Sequence, residues 1–372
     1  MKKKNIVKIC QIIPNLKAGG AQIFLYYLST EMSKNSDLTL IVLDEVDFND
    51  NFTKSLKQKF DALNLRMIYL NRISLDYISF IKCAIKLRNV IKKEQFDIVN
   101  THLPISHFIY SIIRANRKSH IITVHNAPEN LNYINKYLNK NTSRVYCSTN
   151  AYKFNKKTNI ISRVIENGVP INSVNDLKIF NKNIILEELE ISIDSKIILS
   201  VGAIRKQKNY MFLVNLVKEY FEGTNCHFII CGGLADDINF KNLDEFKKYK
   251  NIHFLGQRND VPYLTKIADV FLSCSIFEGL PIAVLEAVFN GVPCVLSPID
   301  THIDVFKTVK GIAIPSVFNI DHFKTEILKM IESSFNKADL IEEREDFINK
   351  YDINNTASAY LNFYRELIQS YG

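Results

Sequence analysis

Apolar residues along the 372-residue chain follow two alternating rhythms. Short runs at 38–43, 197–201, 227–231 and 270–274 are mostly apolar, and those at 96–101 and 120–124 are half apolar or more, as strands covered on both faces are. Between them, stretches at 20–32, 75–93, 105–115, 209–221 and 282–289 repeat their apolar positions at helical spacing. Further strands are expected at 5–13, 66–70, 145–148, 164–166, 252–255 and 293–296. An amphipathic helix is expected at 357–368, built on Tyr360, Phe363, Tyr364 and Leu367. Strands alternating with helices predict an α/β fold whose parallel sheets are covered on both sides. The pattern runs through once, pauses in the polar segment 168–183 around Pro170, and runs through again. A chain of this length exceeds one ordinary core, so two Rossmann-type domains in sequence are predicted.

Composition leaves this picture standing: 47% hydrophobic and 23% charged residues is a globular balance. Met1-Lys2-Lys3-Lys4 has the charge of a secretory leader's start. Lys8, Gln11, Pro14, Asn15 and Lys17 interrupt the apolar run that would have to follow, so the segment reads as a first strand. No stretch approaches the roughly 20 apolar residues of a membrane span. The seven cysteines (Cys10, Cys83, Cys147, Cys226, Cys231, Cys274, Cys294) are odd in number, scattered and without a Cys-x-x-Cys pair. They read as reduced, buried thiols of a cytoplasmic protein.

Charge is unevenly spread. Residues 1–170 hold 26 Lys+Arg against 12 Asp+Glu, a net of +14, and residues 171–372 hold 21 against 27, a net of −6, which together give the chain's +8. A basic first half suits anionic partners, whether membrane lipid, a phosphorylated acceptor or nucleic acid, and no nucleic-acid motif accompanies it. A lysine-rich proteome keeping its proteins soluble explains the count equally well. In the expected helix 75–93, Ile78, Ile81, Ile85 and Val90 alternate with Lys82, Lys86, Arg88, Lys92 and Lys93. Such a helix suits an anionic membrane surface, and the plainer reading is a surface helix packed on its sheet.

In open parallel sheets ligands bind beyond the carboxyl ends of the strands. After the strand at 270–274 comes Ser275-Ile276-Phe277-Glu278-Gly279-Leu280-Pro281-Ile282-Ala283-Val284-Leu285-Glu286-Ala287. Gly279 permits a tight turn, and Pro281 fits the first turn of a helix, where no N–H is needed. The free amides around Leu280, Pro281 and Ile282 then suit a phosphate or sugar oxygen. Glu278, just before the turn, can accept from sugar hydroxyls. Glu286 is the only charged residue between Gly279 and Ile299, and a ribose diol would answer its carboxylate if it is buried. The plainer alternative is that Glu286 faces solvent beside the stripe Ile282, Leu285, Val288 and Phe289.

After 197–201, Gly202-Ala203-Ile204-Arg205-Lys206-Gln207-Lys208-Asn209 brings three cations to a strand end, which suits a pyrophosphate or a solvated basic turn. After the first strand, Pro14-Asn15-Leu16-Lys17-Ala18-Gly19-Gly20-Ala21 carries paired glycines that let backbone approach a ligand, though not at dinucleotide-binding spacing. A single histidine, His125, follows the strand at 120–124. There is no Asp-x-Asp triplet, no His-x-x-x-His and no His/Cys cluster, and Asp236-Asp237 has loop-like surroundings, so no metal site is expected. Neither a Gly-x-Ser-x-Gly elbow nor a Walker loop occurs.

Taken in order, these motifs resemble the family-4 retaining glycosyltransferases, whose GT-B fold sets two Rossmann-like domains facing each other across a cleft. The resemblance spans the Gly19-Gly20-Ala21 loop, His125, Glu166-Asn167-Gly168-Val169-Pro170, Arg205 to Asn209, Cys231-Gly232-Gly233, Phe254-Leu255-Gly256, and Glu278 to Glu286 followed by Gly291-Val292-Pro293. It implies an acceptor-binding domain at 1–175, a nucleotide-sugar-binding domain at 176–352, and a last helix at 353–372 crossing back to the first domain. It further implies that Glu278 contacts the donor sugar, Glu286 the ribose, Lys208 the diphosphate, the Gly19-Gly20 backbone the donor phosphates, and His125 the transferred sugar. Arg205 and Lys208 would stabilise the leaving diphosphate, with Gly202, Gly279, Leu280, Pro281 and Ile282 lining the donor site, and no protein nucleophile is evident. Two positions depart from the family: Ala203 stands where an Arg is usual, with Arg205 two residues on, and Gln22 stands where many relatives have Glu.

The implied activity is retaining, metal-independent transfer of a sugar (of hexosyltransferase type) from a nucleotide-diphosphate sugar to a glycan or lipid-linked glycan in capsule or lipopolysaccharide synthesis. No cofactor is expected, and the implied location is the cytoplasm, with peripheral contact at the inner membrane. A nucleotide-sugar epimerase or hydrolase on the same fold, and a non-catalytic nucleotide-sugar or polyanion-binding protein, are the alternatives.

Overall fold

A computed structural model describes residues 6–113, 120–127, 142–155, 160–171, 182–234, 248–333 and 335–371. The chain divides into two compact units, one formed by Met1–Gly168 with Ile353–Gly372 and the other by Val169–Asp352. The expected boundary at residues 175/176 and most of the polar segment 168–183 lie outside the described residues, as does Asp236-Asp237.

The first unit runs β1 (Lys8–Ile13), α1 (Gly20–Met32), β2 (Asp37–Asp44), α2 (Asn51–Asp61), β3 (Arg66–Arg72), α3 (Tyr77–Glu94), β4 (Ile98–His102), α4 (Pro104–Ile113), β5 (His120–Val124), β6 (Ser143–Tyr146), α5 (Thr149–Asn155) and β7 (Ser162–Val164). Its strands form a seven-stranded sheet in the order β3-β2-β1-β4-β5-β6-β7, parallel at every pairing. Alternation along the strands feeds both faces. Cys10 and Ile12 of β1 with Ile41 and Leu43 of β2 point to the side carrying Leu87 of α3 and Ile109 of α4. Ile13, Leu40 and Val42 point to the side carrying Leu25 of α1 and Phe60 of α2. Both sides being buried explains why the sequence shows unbroken apolar runs.

The second unit runs α6 (Lys182–Glu188), β8 (Lys196–Val201), a 3-10 turn at Lys206–Lys208, α7 (Tyr210–Tyr220), β9 (Cys226–Cys231), β10 (Ile252–Gly256), α8 (Val261–Ile267), β11 (Val270–Ser273), α9 (Ile282–Phe289), β12 (Cys294–Leu296), α10 (Asp300–Phe306), β13 (Ile312–Ala313), α11 (Ile320–Glu332), α12 (Lys337–Glu343) and α13 (Glu345–Lys350). Its sheet has the order β10-β9-β8-β11-β12-β13. Arg344 is buried at the end of α12 and donates to the carbonyls of Val288, Val292 and Lys310. Gly291, at φ +67, lies so close to Lys337 that an added Cβ would sit 2.2 Å from its carbonyl oxygen. The Gly291-Val292-Pro293 motif is therefore a seam between α9 and α12.

The last helix, α14 (Ile353–Tyr371), belongs to the first unit. It starts at Ile353, where the C-terminal helix was expected from the resemblance and four residues before the apolar pattern at 357, and Thr356 in its first turn donates to the carbonyl of Glu166 at 3.0 Å. Strands expected at 145–148 and 164–166 lie two residues earlier. Their registers begin at Ser143 against Ile121 and at Ser162 against Arg144, so polar residues enter the sheet where apolar ones were expected to.

Both sheets reverse their strand order once, between β1 and β4 and between β8 and β11. Loops leaving such a reversal diverge to opposite faces and open a crevice at the carboxyl ends. The loops after β1, β8 and β11 carry three of the motifs, and His125 follows β5, one strand beyond β4.

Candidate functional site

In the second unit the loops after β8 and β11 meet. Lys208 Nζ lies 2.6 Å from Glu278 Oε1, and Ser275 donates to the same oxygen at 2.7 Å. Gln207 donates to Glu278 Oε2 at 3.2 Å and to the carbonyl of Phe277 at 3.0 Å. Glu278 is buried, so its charge is answered by one cation and two neutral donors, leaving capacity on its oxygens for a further donor. Lys208 and Glu278, singled out separately in the sequence, thus form one ion pair.

The backbone makes this geometry. Lys208 lies across Gly202, where an added Cβ would be 2.6 Å from Lys208 Cε. Gly202 in turn presses on Gly232, where an added Cβ would sit 1.9 Å from the Gly202 carbonyl oxygen. Tyr210 donates to that same carbonyl at 2.9 Å, and burial pushes its phenol well above the ordinary range. Ile204 is bridged to Leu234 and Arg205 has an extended backbone. By alternation, half-buried Ala203 and Arg205 fall on the same side of this segment.

Pro281 was expected in the first turn of the helix and instead caps it: its backbone is extended (φ −75°, ψ 113°) and Leu285 N–H bonds its carbonyl. Gly279, Leu280 and Pro281 are buried, as is Ile282, which opens α9. Glu286 is half-buried on α9 and so does not simply face solvent. Thr301 donates to the carbonyl of Glu278 at 2.8 Å. Next to it His302 faces the Ser297 carbonyl with Nδ1 at 2.9 Å, while burial lowers its pKa to about 4. A carbonyl only accepts, so Nδ1 carries the proton, and Nε2 is a buried lone pair with no partner among the described residues.

In the first unit Gly19 is extended and Gly20 opens α1. An added Cβ on Gly19 would sit 2.5 Å from Gln22 Oε1. Gln22, the residue standing where relatives have Glu, is buried and donates to Asn15 at 3.2 Å, which orders the loop.

His125 is not the single histidine the sequence suggested. Its Nε2 lies 2.9 Å from Nδ1 of His102, whose Nε2 lies 2.8 Å from Gln11 Oε1. Gln11 Oε1 can only accept, so His102 holds its proton on Nε2 and accepts on Nδ1. His125 therefore donates from Nε2 and keeps Nδ1 as an acceptor. The Asn100 amide also lies 3.3 Å from His102 Nε2. We assign the proton by the shorter Gln11 contact, since that amide donates to Tyr364 at 3.0 Å. Burial lowers His125 to about 4 and His102 well below the ordinary imidazole range. Phe24 of α1 packs edge-on to His125, with ring centroids 5.8 Å apart. Gln11, His102 and Gln207 were not legible from the sequence, because each is paired with a partner on another strand or loop, and Ser275 and His302, whose partners lie three and five residues away, carry no motif that marks them.

Among the described residues no group of three His, Cys, Asp or Glu is placed to hold a metal ion. The cysteines are free thiols, all buried except half-buried Cys226. No helix among the described residues is long and apolar enough to cross a membrane.

Residues 18–172 match the family model described as Glycosyltransferase Family 4, and residues 181–351 that described as Glycosyl transferases group 1. A UDP-Gal:alpha-D-GlcNAc-diphosphoundecaprenol alpha-1,3-galactosyltransferase of Escherichia coli is 25% identical, with 96% of each chain covered. The capsular polysaccharide biosynthesis glycosyltransferase CapH of Staphylococcus aureus is 24% identical, covering 96% of this chain and 99% of that one. Among solved structures, HepE of Anabaena in complex with UDP and glucose superposes with a TM-score of 0.78 at 13% identity, covering 97% of this chain and 100% of that one. The fold is the two-sheet GT-B architecture, as expected.

Proposed function

The chain belongs to the glycosyltransferases of these two families, and on that premise we propose that it is a retaining, metal-independent enzyme transferring a hexose-type sugar from a nucleotide-diphosphate donor to a lipid-linked glycan in envelope polysaccharide synthesis. The observation that carries the reading is the Lys208–Glu278 pair at the strand-order reversal of the second sheet. A cation and a carboxylate side by side suit the two ends of a sugar diphosphate. Lys208 and Arg205 stabilise charge growing on the leaving diphosphate, and fixed cations do this without reorganisation. The Arg205 guanidinium, on the side of the chain where Ala203 stands, takes the place of the family's arginine. Glu278 accepts from donor-sugar hydroxyls, Glu286 from the ribose diol, and His125 contacts the transferred sugar. The Gly19-Gly20 backbone and the amides at Gly279–Ile282 approach the phosphates. Retention follows if the acceptor attacks from the face the diphosphate leaves. The lipid-linked acceptor and a UDP-sugar donor are supported by the galactosyltransferase activity of the Escherichia coli relative. Such an acceptor places the enzyme's work at the cytoplasmic face of the inner membrane.

The test is thermal stabilisation by UDP-, GDP-, ADP- and dTDP-sugars, comparing wild type with Glu286→Ala. A ligand that binds only the native state raises the melting temperature by mass action. A shift with one nucleotide, lost in the variant, supports the donor site and identifies the base. Sugar release from that donor at full rate without an acceptor transfers the reading to a nucleotide-sugar hydrolase.

A further inference from the structure

Helix α3 is packed by one face only. Cys83, Leu87 and Ile91 are buried against the sheet. Of the stripe for which both a membrane surface and packing on the sheet were open readings, Val90 packs partly against the core, while Ile78 is 64% exposed, Ile81 41% and Ile85 56%. The turn leading into the helix adds Ile73, at 48%, and Leu75, whose side chain is fully exposed, and Tyr77, the first residue of the helix, is 76% exposed. Leu75 also has a positive φ of 65°, a left-handed conformation that costs a residue with a Cβ about 1–2 kcal/mol. Single exposed apolar residues are ordinary, whereas a contiguous set on one helix face marks a surface with an occupant.

The charges around this stripe identify the occupant. At helical spacing, Ile78 and Ile85 lie at the centre of the outward face with Ile81 beside them. At helical spacing Lys82, Lys86 and Lys93 line one border of the stripe and Arg88 and Lys92 lie on the other, beside Ile81; all five are exposed. The helix's one acid, Glu94, is engaged by Arg66 at 2.7 Å and Lys8 at 3.3 Å. Asp76 is occupied as the N-cap, accepting from Ser79 N–H. The outward face is thus aliphatic along its middle and cationic along its edges. A second copy of the chain docked by this face would set lysines against lysines, because a two-fold interface is self-complementary. An anionic bilayer meets both demands, taking the aliphatic side chains at the level of the acyl chains and the ammonium groups at the lipid phosphates.

We propose that the outward face of α3, with Ile73, Leu75 and Tyr77 before it, docks the protein on an anionic phospholipid surface, the helix lying in the plane of the interface. This deepens the membrane contact in the proposed function by naming its surface, and it rests on a different observation from the donor chemistry. The experiment is co-sedimentation of the full chain with vesicles of phosphatidylcholine alone and of phosphatidylcholine with phosphatidylglycerol. Wild type pellets with the anionic vesicles and is released by high salt. Each of Lys82→Gln and Lys86→Gln lowers the partition coefficient about 5-fold, and Ile78→Ser with Ile85→Ser lowers it at least about tenfold. The substituted chains keep the wild-type melting temperature and the wild-type thermal shift with nucleotide sugar. Equal pelleting with both vesicle types, or substituted chains that pellet like wild type, overturns the proposal. So does wild type that ignores vesicles but forms a dimer lost in the isoleucine variants. Vesicle binding that persists while no nucleotide shifts the melting temperature removes the donor reading and leaves the surface in place.

Discussion

His102 Nδ1 lies 2.9 Å from His125 Nε2, and this contact fixes which nitrogen of His125 carries its proton. The proton on His102 is set by Gln11, so a glutamine on β1 fixes the tautomer of a histidine that follows β5. Gln11→Leu is expected to leave the fold intact and lower kcat/KM about tenfold, the size of one lost buried hydrogen bond at about 1.4 kcal/mol. Gln11→Glu keeps an acceptor and restores activity at neutral pH, while its charge raises both imidazole pKa values and moves the acid limb of the pH–rate profile upward. Equal loss in both variants, with no movement of the acid limb, would reduce Gln11 to a packing residue.

The Lys208–Glu278 pair predicts a non-additive cycle. Lys208→Met strands a buried carboxylate and costs about 3 kcal/mol of stability, besides weakening donor affinity. Glu278→Gln abolishes transfer with smaller loss of stability. The double variant should be more stable than Lys208→Met alone in urea denaturation; additive losses would mean the pair is uncoupled.

Gly232→Ala tests the backbone contact beneath the site. The new methyl would meet the Gly202 carbonyl, so the variant is expected to lose nucleotide-dependent stabilisation and to melt well below wild type. At Gly223 nothing lies within 4 Å of an added Cβ, and only its φ of +74° opposes the change. Gly223→Ala should cost about 1–2 kcal/mol and leave donor binding untouched.

Stability should fall on mild acidification. Burial lowers His125 and His302 to about 4 and His120 to about 3. In the unfolded chain each titrates near the ordinary value of 6.5. Below that value the unfolded state binds protons the folded state refuses, so the stability present above it is lost as pH falls toward 4. Urea midpoints at pH 7.5, 6.0 and 5.0 should decline, and His125→Phe should shallow the decline; a flat profile would contradict neutral burial.

Transfer is expected to persist in EDTA, because fixed cations answer the leaving charge. Complete loss that is restored by a divalent metal would overturn the metal-free mechanism.

What the sequence disclosed follows from which interactions are local. Strands such as β2 and β8 are sandwiched between helices, so their residues are apolar in an unbroken run and can be read directly. Strands β6 and β7 lie toward one margin of their sheet and enter it through Ser143 and Ser162, and the apolar criterion placed both two residues late. Helix α2 was missed because only Thr53, Leu56 and Phe60 are buried in it. Glu278 and Lys208 were each found from the loop they occupy, whereas their pairing was not, since 70 residues separate them. Gln11 and His102 stand 91 residues apart, and neither has a neighbour in sequence that marks it as polar machinery.

The last helix has a consequence for how the chain is made. Tyr364 of α14 contacts Gln11 and Asn100 beneath His125, and Tyr360 packs on Phe24. The first unit is therefore discontinuous, its polar core closed by residues synthesised after the whole of the second unit. On the ribosome the amino-terminal half must wait, with Phe24 and Gln11 uncovered, until some 184 intervening residues have emerged. The second unit is contiguous and needs nothing synthesised after it, whereas the first is completed only when α14 has emerged. A chain interrupted before Ile353 would hold a finished second sheet beside a first sheet with its polar network open.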